Sequence, residues 1–271
     1  MSPSHLLVIK IGGAAGIDPS GLCDDVAELT SEGRSMVLVH GASDRADRLA
    51  LALGHPARFL ISPSGHVSRY TDLQTRDIYV KAVCEVNTEL VAALNSRGVQ
   101  AVGLAGDGSC PLRGERKPAV RAVVDGHTQT IRDDYSGRLT GVECEAIGAL
   151  LTRGLTPVVP PLAQSERDGL LNVDGDRAAA ALAAALRAET LILLSNVPGL
   201  LREYPDETSL AHRVPADSLD QALNWAQGRM KRKVISVREA LQAGVPRAAL
   251  ADARQPQPLR RALAGGGTWF G

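Results

Sequence analysis

Lysine and glycine residues near the start of the sequence form the first pattern that could do chemistry. Lys10 lies two residues before Gly12 and Gly13, at the end of the apolar run Leu6–Ile11. Glycines at a strand end let backbone N–H groups approach an anion closely, and lysine supplies a point charge. The segment suits a phosphate or a carboxylate, although taken alone it is more simply interpreted as a tight turn with a surface lysine.

A second turn of small residues follows the apolar run Met36–Val39. It contains Gly41, Ala42 and Ser43 and leads into a predicted helix. If the two strands are neighbours in a sheet, the N–H groups of both turns lie side by side, where a helix N-terminus also favours an anion. Ser43 by itself is more simply interpreted as the N-cap of that helix.

Charged residues occur at the starts of two later predicted helices. Asn172, Asp174 and Asp176 introduce one of them. Carboxylates at such a place are by default helix caps, and the alternative is that Asn172 contacts a substrate while Asp176 organises cationic groups. The basic segment Gly228–Val234 begins the other helix. By default it is a solvated helix face, but cations at a helix N-terminus oppose the helix dipole.

The composition excludes several classes of protein. The 271 residues carry 30 basic and 30 acidic side chains, and only 3% are aromatic, which argues against a nucleic-acid-binding protein. No segment has the length of a membrane span or the pattern of a secretory leader, so we expect a cytoplasmic protein. The 4 cysteines have no CxxC spacing, and no metal site is predicted.

Apolar runs alternate with helical stretches, which predicts an α/β fold: a three-layer αβα sandwich with a central, mainly parallel open sheet. The predicted strands are Leu6–Ile11, Met36–Val39, Gln100–Leu104, Thr156–Val159, Thr190–Leu194 and Arg247–Ala251. The predicted helices, most of them followed by a terminating glycine, are Ser20–Glu32, Ser43–Leu53, Asp72–Arg97 with Thr71 as its cap, Glu143–Arg153, Asp176–Arg187 and Met230–Ala243.

One segment interrupts this alternation. Ala119–Val124 and His127–Arg132 flank Asp125 and Gly126, the pattern of a two-residue β-hairpin. The preceding segment Leu112–Pro118 is basic and is predicted to be rich in turns. We therefore predict a β-hairpin that protrudes from the sheet of a single domain, 1–271.

Common catalytic and nucleotide-binding motifs are missing. The sequence contains no GxxxxGKS/T loop, no GxGxxG after a strand, no GxSxG and no HExxH. These absences argue against P-loop ATPases, Rossmann dehydrogenases, α/β-hydrolases and zincin proteases.

Taken in order, six motifs resemble those of the amino-acid kinase family, most closely its acetylglutamate-kinase-like branch. They are KIGG at Lys10–Gly13, VHGAS at Val39–Ser43, VSRYTD at Val67–Asp72, NVDGD at Asn172–Asp176, LSNVPGLL at Leu194–Leu201 and GRMKRKV at Gly228–Val234. The resemblance spans nearly the whole chain and implies the fold of that family.

Further stretches resemble the members of this branch that act on α-aminoadipate attached to an amino-group carrier protein in lysine biosynthesis. They include LGHPARF at Leu53–Phe59 and YPDE at Tyr204–Glu207. The resemblance implies an ATP-dependent reaction that converts the distal carboxylate of the substrate to an acyl phosphate.

Three departures from acetylglutamate kinases point away from free N-acetylglutamate. Ala42 and Ser43 stand where those enzymes continue a run of three glycines, Asn196 stands for an aspartate, and Arg229 interrupts a GGM motif. Two alternatives stay open: an N-acetylglutamate kinase of arginine biosynthesis, or of both pathways, and a non-catalytic ligand-binding regulator on the same fold.

The resemblance implies a role for each residue of the site. Lys10 and Lys233 stabilise the transferring phosphoryl group and Asp176 holds both ammonium groups; Lys233 is preferred to Lys231 because it directly precedes Val234. The substrate would be bound by Gly41, Ala42, Ser43, Asn172 and Arg69, the last in a turn before the long helix. ATP would be bound by Lys10, Gly12, Gly13, Ser195, Asn196, Val197, Gly199, Leu200 and Lys231.

The resemblance also implies partners and an organisation in lobes. Residues 1–170 would bind the substrate and 171–271 would bind ATP, with Mg²⁺ held mostly by nucleotide oxygens and water. The chain would form a homodimer, with the helix Asp72–Arg97 as a candidate interface. The carrier is small and acidic, so the surface of this chain on which it docks should be basic. The candidates for that surface are Arg113, Arg116, Lys117, Arg121 and Arg132. A solubilising basic loop explains these residues equally well.

Overall fold

The structure is a computed structural model that describes residues 5–63, 65, 67–105, 109–124 and 126–271, the side chain of Val124 excepted. The strands are β1 (Leu7–Ile11), β2 (Met36–His40), β3 (Phe59–Ile61), β4 (Val67–Arg69), β5 (Ala101–Gly103), β6 (Leu112–Arg116), β7 (Val120–Val124), β8 (His127–Ile131), β9 (Gly137–Val142), β10 (Thr156–Val159), β11 (Leu162–Ser165), β12 (Gly169–Asn172), β13 (Thr190–Ser195), β14 (Arg213–Val214), β15 (Arg247–Asp252) and β16 (Thr268–Phe270). The α-helices are α1 (Ser20–Ser31), α2 (Ser43–Ala52), α3 (Leu73–Asn95), α4 (Cys144–Thr152), α5 (Gly175–Ala185), α6 (Leu219–Trp225), α7 (Arg229–Gln242) and α8 (Pro258–Leu263).

An eight-stranded sheet in the order β14-β16-β15-β13-β1-β2-β10-β5 runs through the middle of the molecule. Its strands pair in parallel, except that β15 and β16 are antiparallel. The six strands expected from the sequence all lie in this sheet, and β1, β2, β10 and β13 are buried along their whole length. Continuous apolar strands of this kind are covered on both faces, so the prediction of a mainly parallel central sheet is confirmed.

Helices cover both faces of this sheet and bury alternate residues of its strands. On one face, Val8 of β1 packs with α5 and α7; on the other, Ile9 packs with α1 and α8. Helix α3 contributes to both clusters, through Val83 on the first side and Leu90 on the second. This is the predicted three-layer αβα arrangement, and it directs adjacent residues of one strand to opposite sides of the sheet.

Two smaller sheets complete the fold. One has the order β12-β11-β6-β9 and the other β4-β3-β7-β8. The predicted hairpin is present as β7 and β8, which pair from Val120 with Ile131 to Val124 with His127; Asp125 lies outside the described residues. The hairpin does not stand alone, because β7 also pairs with β3.

Two local predictions are wrong. Leu112–Arg116, expected to be rich in turns, forms β6, because pairing with both β9 and β11 satisfies its backbone. The cap of α3 is Asp72 and not Thr71: the Asp72 carboxylate accepts a hydrogen bond from the Thr75 N–H at 2.8 Å.

Candidate active site

The two glycine-containing turns lie against each other at the carboxyl ends of β1 and β2. The Gly41 N–H donates to the Ile11 carbonyl at 2.9 Å, and the Asp44 N–H donates to the Gly13 carbonyl at 2.8 Å. A Cβ atom on Gly13 would lie 2.2 Å from the carbonyl carbon of Gly41, so only glycine allows the two backbones to meet.

Backbone N–H groups without an acceptor remain where these turns meet. In the part of the chain that the structure describes, the N–H groups of Gly13 and Ala42 make no hydrogen bond. The N-cap position of α2 belongs to Ala42, and the Ser43 hydroxyl donates to the Gly13 carbonyl at 2.8 Å, so the interpretation of Ser43 as a cap is wrong. Unpaired N–H groups beside a helix N-terminus favour an anionic ligand.

Lys10, Asp176 and Lys233 form a buried cluster beside these turns. Lys233 Nζ donates to Asp176 Oδ2 at 2.9 Å, and Lys10 Nζ lies 2.9 Å from Asp176 Oδ1. Lys10 Nζ forms an ion pair with Oδ1, and an ammonium group has three N–H groups. The N–H groups of Lys10 that the carboxylate does not use can therefore donate to a bound anion.

The helix caps explain how Asp176 is released for this cluster. Asp174 is the N-cap of α5, and its carboxylate accepts hydrogen bonds from the N–H groups of Asp176 and Arg177 at 2.9 Å and 3.1 Å. The cap and the organiser of cations, which were alternatives from the sequence, are therefore two different carboxylates.

Burial and charge act in opposite directions on the titration of the cluster. Burial alone would raise the pKa of Asp176, but the two ammonium groups outweigh it and hold this pKa below its ordinary value. Burial lowers the pKa of Lys233, and the Asp176 carboxylate opposes that effect. With one carboxylate between two ammonium groups, the cluster carries a net positive charge suited to a phosphate.

The residues expected to bind the acceptor lie at the ends of short strands. The sequence predicted Arg69 in a turn, but that prediction is wrong. Arg69 is the last residue of β4, because β4 pairs with β3 up to Arg69. Its guanidinium donates to Asp47 of α2 at 2.6 Å. Asn172 is the last residue of β12, and its amide donates to the Thr71 hydroxyl at 3.2 Å.

The residues expected to bind ATP fall into two groups. Ser195 ends β13 beside Gly12, whose N–H donates to the Leu194 carbonyl at 2.9 Å. Leu200, by contrast, is buried, and its N–H donates to the Thr268 hydroxyl at 2.8 Å. A Cβ on Gly199 would lie 2.6 Å from the same hydroxyl, so Gly199 and Leu200 attach this turn to β16. Asn196 and Val197 lie in the same turn, and Lys231 is exposed on α7, where Lys233 and not Lys231 pairs with Asp176.

The five basic candidates for carrier docking differ in their surroundings. Arg113 donates to Glu143 at 2.8 Å, and Arg116 donates to Asp168 at 3.3 Å and stacks on Tyr135. These two arginines are engaged within the fold. The other three candidates are exposed: Lys117, Arg121 and Arg132.

Several contacts of the site had no signal in the sequence. Asp47 pairs with Arg69, Thr71 receives the Asn172 amide, and Arg232 donates to the Val67 carbonyl, which joins α7 to β4. These contacts depend on how α2, α7 and the small sheet β4-β3-β7-β8 are placed relative to one another. No local pattern of residue types indicates that placement.

The unpaired backbone donors of the turns and the two ammonium groups of the cluster are groups that could bind a phosphate or another anion. The family model of the amino acid kinase family matches residues 5–252, and the chain belongs to that family. It is 48% identical over 97% of its length to the LysW-aminoadipate kinase of Deinococcus radiodurans, covering 91% of that protein. It is 45% identical over 97% of its length to the LysW-aminoadipate kinase of Thermus thermophilus, covering 99% of it.

A solved structure extends the comparison to a related fold. The N-acetylglutamate synthase of Neisseria gonorrhoeae, complexed with coenzyme A and N-acetylglutamate, matches 98% of this chain with a TM-score of 0.79 and 27% identity. This chain spans 59% of the synthase, so it corresponds to only part of that protein.

Proposed function

We propose that the protein transfers the γ-phosphoryl group of ATP to the distal carboxylate of α-aminoadipate attached to a LysW-type amino-group carrier protein, in lysine biosynthesis. The observation that carries the reaction is the cluster in which Asp176 lies 2.9 Å from both Lys10 and Lys233. The substrate follows from the two relatives that share 48% and 45% identity over 97% of the chain.

The reaction needs charge stabilisation more than proton transfer. A carboxylate acceptor is ionised at neutral pH, so its attack on phosphorus requires no general base. Lys10 and Lys233 would neutralise the charge on the transferring phosphoryl group, and Asp176 would keep both ammonium groups in place. The only histidine of the glycine turns, His40, is buried, which agrees with a reaction that needs no base.

The nucleotide would lie across the turns after β1 and β13. Gly12 and Gly13 directly follow the strand that carries Lys10, Ser195 ends β13 beside Gly12, and the unpaired Gly13 N–H would donate to a phosphate oxygen. Mg²⁺, held mainly by the nucleotide and water, would supply positive charge that offsets the charge of the phosphates. In the described ranges no group of three His, Cys, Asp or Glu side chains could hold a metal ion.

The acceptor substrate would be held by residues at the ends of β4 and β12 and in the turn after β2. Arg69 can grip a carboxylate with two N–H groups, although Asp47 now occupies one of its nitrogens at 2.6 Å. Asn172 and the backbone at Gly41, Ala42 and Ser43 would orient the amide and the distal carboxylate. We propose the division into substrate and ATP lobes on the same grounds.

The carrier would dock on the exposed side of the small sheet β4-β3-β7-β8. Lys117, Arg121 and Arg132 supply positive charge there. Arg121 and Val123 alternate along β7 and so share one face, where Val123 is paired with the exposed Ile61. Exposed apolar residues beside basic ones suit an acidic protein partner.

We further propose a cytoplasmic homodimer in which α3 lies at the interface. None of the helices in the described ranges is long and apolar enough to cross a membrane. Sedimentation of the purified chain at micromolar concentration should give twice the 28.5 kDa mass of one chain, and a monomer would contradict the dimer.

Hydroxylamine trapping of the acyl phosphate tests the reaction and the substrate together. The assay contains ATP and Mg²⁺ and runs in parallel with carrier-bound aminoadipate and with free N-acetylglutamate. Hydroxamate from the carrier-bound substrate alone is expected. Product from free N-acetylglutamate alone would assign the enzyme to arginine biosynthesis, and product from neither would favour a non-catalytic regulator.

A further inference from the structure

His40 is a buried titratable residue beside the site, and the proposed reaction does not use it. It ends β2 and directly precedes Gly41, and its side chain is buried. Its ring contacts two groups: Nε2 lies 3.0 Å from the amide nitrogen of Asn87 on α3, and Nδ1 lies 3.4 Å from the Gly41 carbonyl.

The contacts of Asn87 determine where the imidazole carries its proton. The Asn87 amide nitrogen also lies 3.0 Å from the Val158 carbonyl, which can only accept, so this nitrogen is the donor in both contacts. His40 Nε2 therefore accepts, and the proton is on Nδ1. The Asn87 amide oxygen lies on the other side, where a Cβ on Gly103 would be only 2.2 Å away.

The imidazole is neutral under physiological conditions. The pKa of His40 is lowered to about 4, mainly by burial; the Gly41 carbonyl opposes this effect and the nearby charge of Lys10 adds to it. A neutral imidazole offers one donor and one acceptor, and both are used here. The ring is thus a fixed link from α3 to the turn after β2.

The direction of the Gly41 carbonyl determines the direction of the next N–H group. In a trans peptide the C=O and N–H groups point in opposite directions, so a Gly41 carbonyl turned towards His40 turns the Ala42 N–H away from it. His40 shares its face of β2 with Leu38, which packs on the α1 side, whereas Lys10 shares its face of β1 with Val8, which packs on the α5 side. The unpaired Ala42 N–H is therefore directed to the side of Lys10.

We propose that His40 is a positioning residue: as the Nδ1–H tautomer set by Asn87, it holds the Gly41–Ala42 peptide so that the Ala42 N–H faces the acceptor carboxylate. This inference rests on the proposed function, in which Ala42 helps to bind the acceptor. It assigns to His40 an effect on the acceptor and none on the nucleotide.

Two amide substitutions separate the two ring contacts. His40→Asn places an N–H near the position of Nδ1 and keeps the donor to Gly41, whereas His40→Gln places its amide near Nε2 and keeps only the link to Asn87. We expect His40→Gln to lower kcat/KM for the acceptor by about 100-fold, the size of a lost transition-state donor, and His40→Asn to retain most activity. KM for ATP should be unchanged in both.

The reverse order of activity would overturn the proposal, as would equal losses in both variants or a selective change in KM for ATP. A purely structural link between α3 and β2 predicts that His40→Gln retains more activity than His40→Asn, because only His40→Gln keeps the hydrogen bond to Asn87. Urea unfolding of both variants shows whether they differ in stability.

The tautomer is measured on the wild-type protein and needs no variant to fold. In ¹⁵N-histidine NMR spectra, the imidazole that stays neutral at pH 5 should carry its proton on Nδ1, and a proton on Nε2 would overturn the proposal. This readout does not depend on the acceptor. Failure to phosphorylate carrier-bound aminoadipate would therefore contradict the proposed function, and an Nε2–H tautomer would contradict the role of His40.

Discussion

Asp176 is the residue on which the charges of the site depend. It is buried between Lys10 and Lys233, and its ionised form is stabilised by both. Removing one partner from a buried ion cluster leaves the other charges uncompensated. The resulting loss of stability exceeds the net stabilisation that the intact cluster provides. A neutral residue at this position should therefore disturb both lysines at once.

Asp176→Asn should lower the rate of acyl phosphate formation by at least about 100-fold, because neither ammonium group is then held by a carboxylate. Asp174→Asn is the matched control: asparagine is as good an N-cap as aspartate, so α5 and most of the activity should persist. Hydroxamate assays measure both variants. Equal losses would indicate that the local negative charge matters and not the contact with the lysines.

The titration of Lys233 predicts how the rate depends on alkaline pH. Its pKa lies below the ordinary lysine value because it is buried, so it loses its proton, and the site loses a charge, at a lower pH than a free lysine would. We expect the rate to fall on the alkaline side as Lys233 deprotonates. In Lys233→Arg, which keeps its charge, any residual activity should not show that fall; a profile unchanged from wild type would assign the alkaline limb to another group.

At the scale of elements, the contact between the first two turns fixes the relative position of β1 and α2. Gly13→Ala would place a methyl group within 2.2 Å of the Gly41 backbone, which cannot yield as a flexible side chain would. We expect a loss of activity together with a lower free energy of unfolding, measured in urea. Gly148→Ala in α4 is the control, since a Cβ there meets nothing within 4 Å, and it should stabilise by about 0.5–1 kcal/mol.

Helix α8 begins on a buried carboxylate of α1. Asp25 Oδ2 accepts hydrogen bonds from the N–H groups of Leu259 and Arg260 at 2.7 Å and 3.1 Å, while Oδ1 has no donor. Burial raises the pKa of Asp25, and these N–H groups only partly oppose it. The ionised form is therefore less favourable in the folded protein than in the unfolded chain.

Asp25→Asn keeps an acceptor for α8 and removes the buried charge. The cost of that charge is present above the raised pKa and disappears as the pH falls towards the ordinary aspartate value. We expect the variant to be at least as stable as wild type at pH 7. As the pH decreases, the free energy of unfolding of the wild type should rise relative to that of the variant. Urea unfolding at pH 7 and pH 4 tests this, and a pH-independent difference would show that Asp25 has the same pKa in both states.

The elements that the sequence indicated and those that it did not differ in physical origin. Four of the six apolar strands, β1, β2, β10 and β13, are buried along their whole length, so their residue types alone mark them. Strands such as β3 and β4 are short and partly exposed, and they form only because they pair with each other and with β7. The glycine turns could be predicted in the same way, whereas the Arg69–Asp47 pair depends on the orientation of α2 against the small sheet.

For the whole molecule, a net charge of zero hides an uneven distribution. The buried cluster holds two ammonium groups and one carboxylate, and Lys117, Arg121 and Arg132 add exposed positive charge near the hairpin. An acidic partner approaching this side would be attracted even though the molecule as a whole is neutral.

Arg121→Glu should lower kcat/KM for the carrier-bound substrate several-fold at low salt, with a smaller effect at high salt and no effect on KM for ATP. Arg153→Glu changes the net charge equally at another exposed arginine and is the control. Steady-state kinetics at two ionic strengths measure both variants. Equal effects of the two substitutions would remove the hairpin from the docking surface.

The central position of β1 has a consequence during protein synthesis. Its first neighbour, β2, ends at His40, but the strand that pairs along its other edge, β13, ends only at Ser195. At about 5–20 residues per second, the ribosome needs on the order of 10–30 s to make the chain between them. Throughout that interval an apolar strand has one open edge, which invites pairing with other nascent chains. The strand that holds Lys10 in the interior of the finished enzyme is therefore the one that most needs protection while the polypeptide is being made.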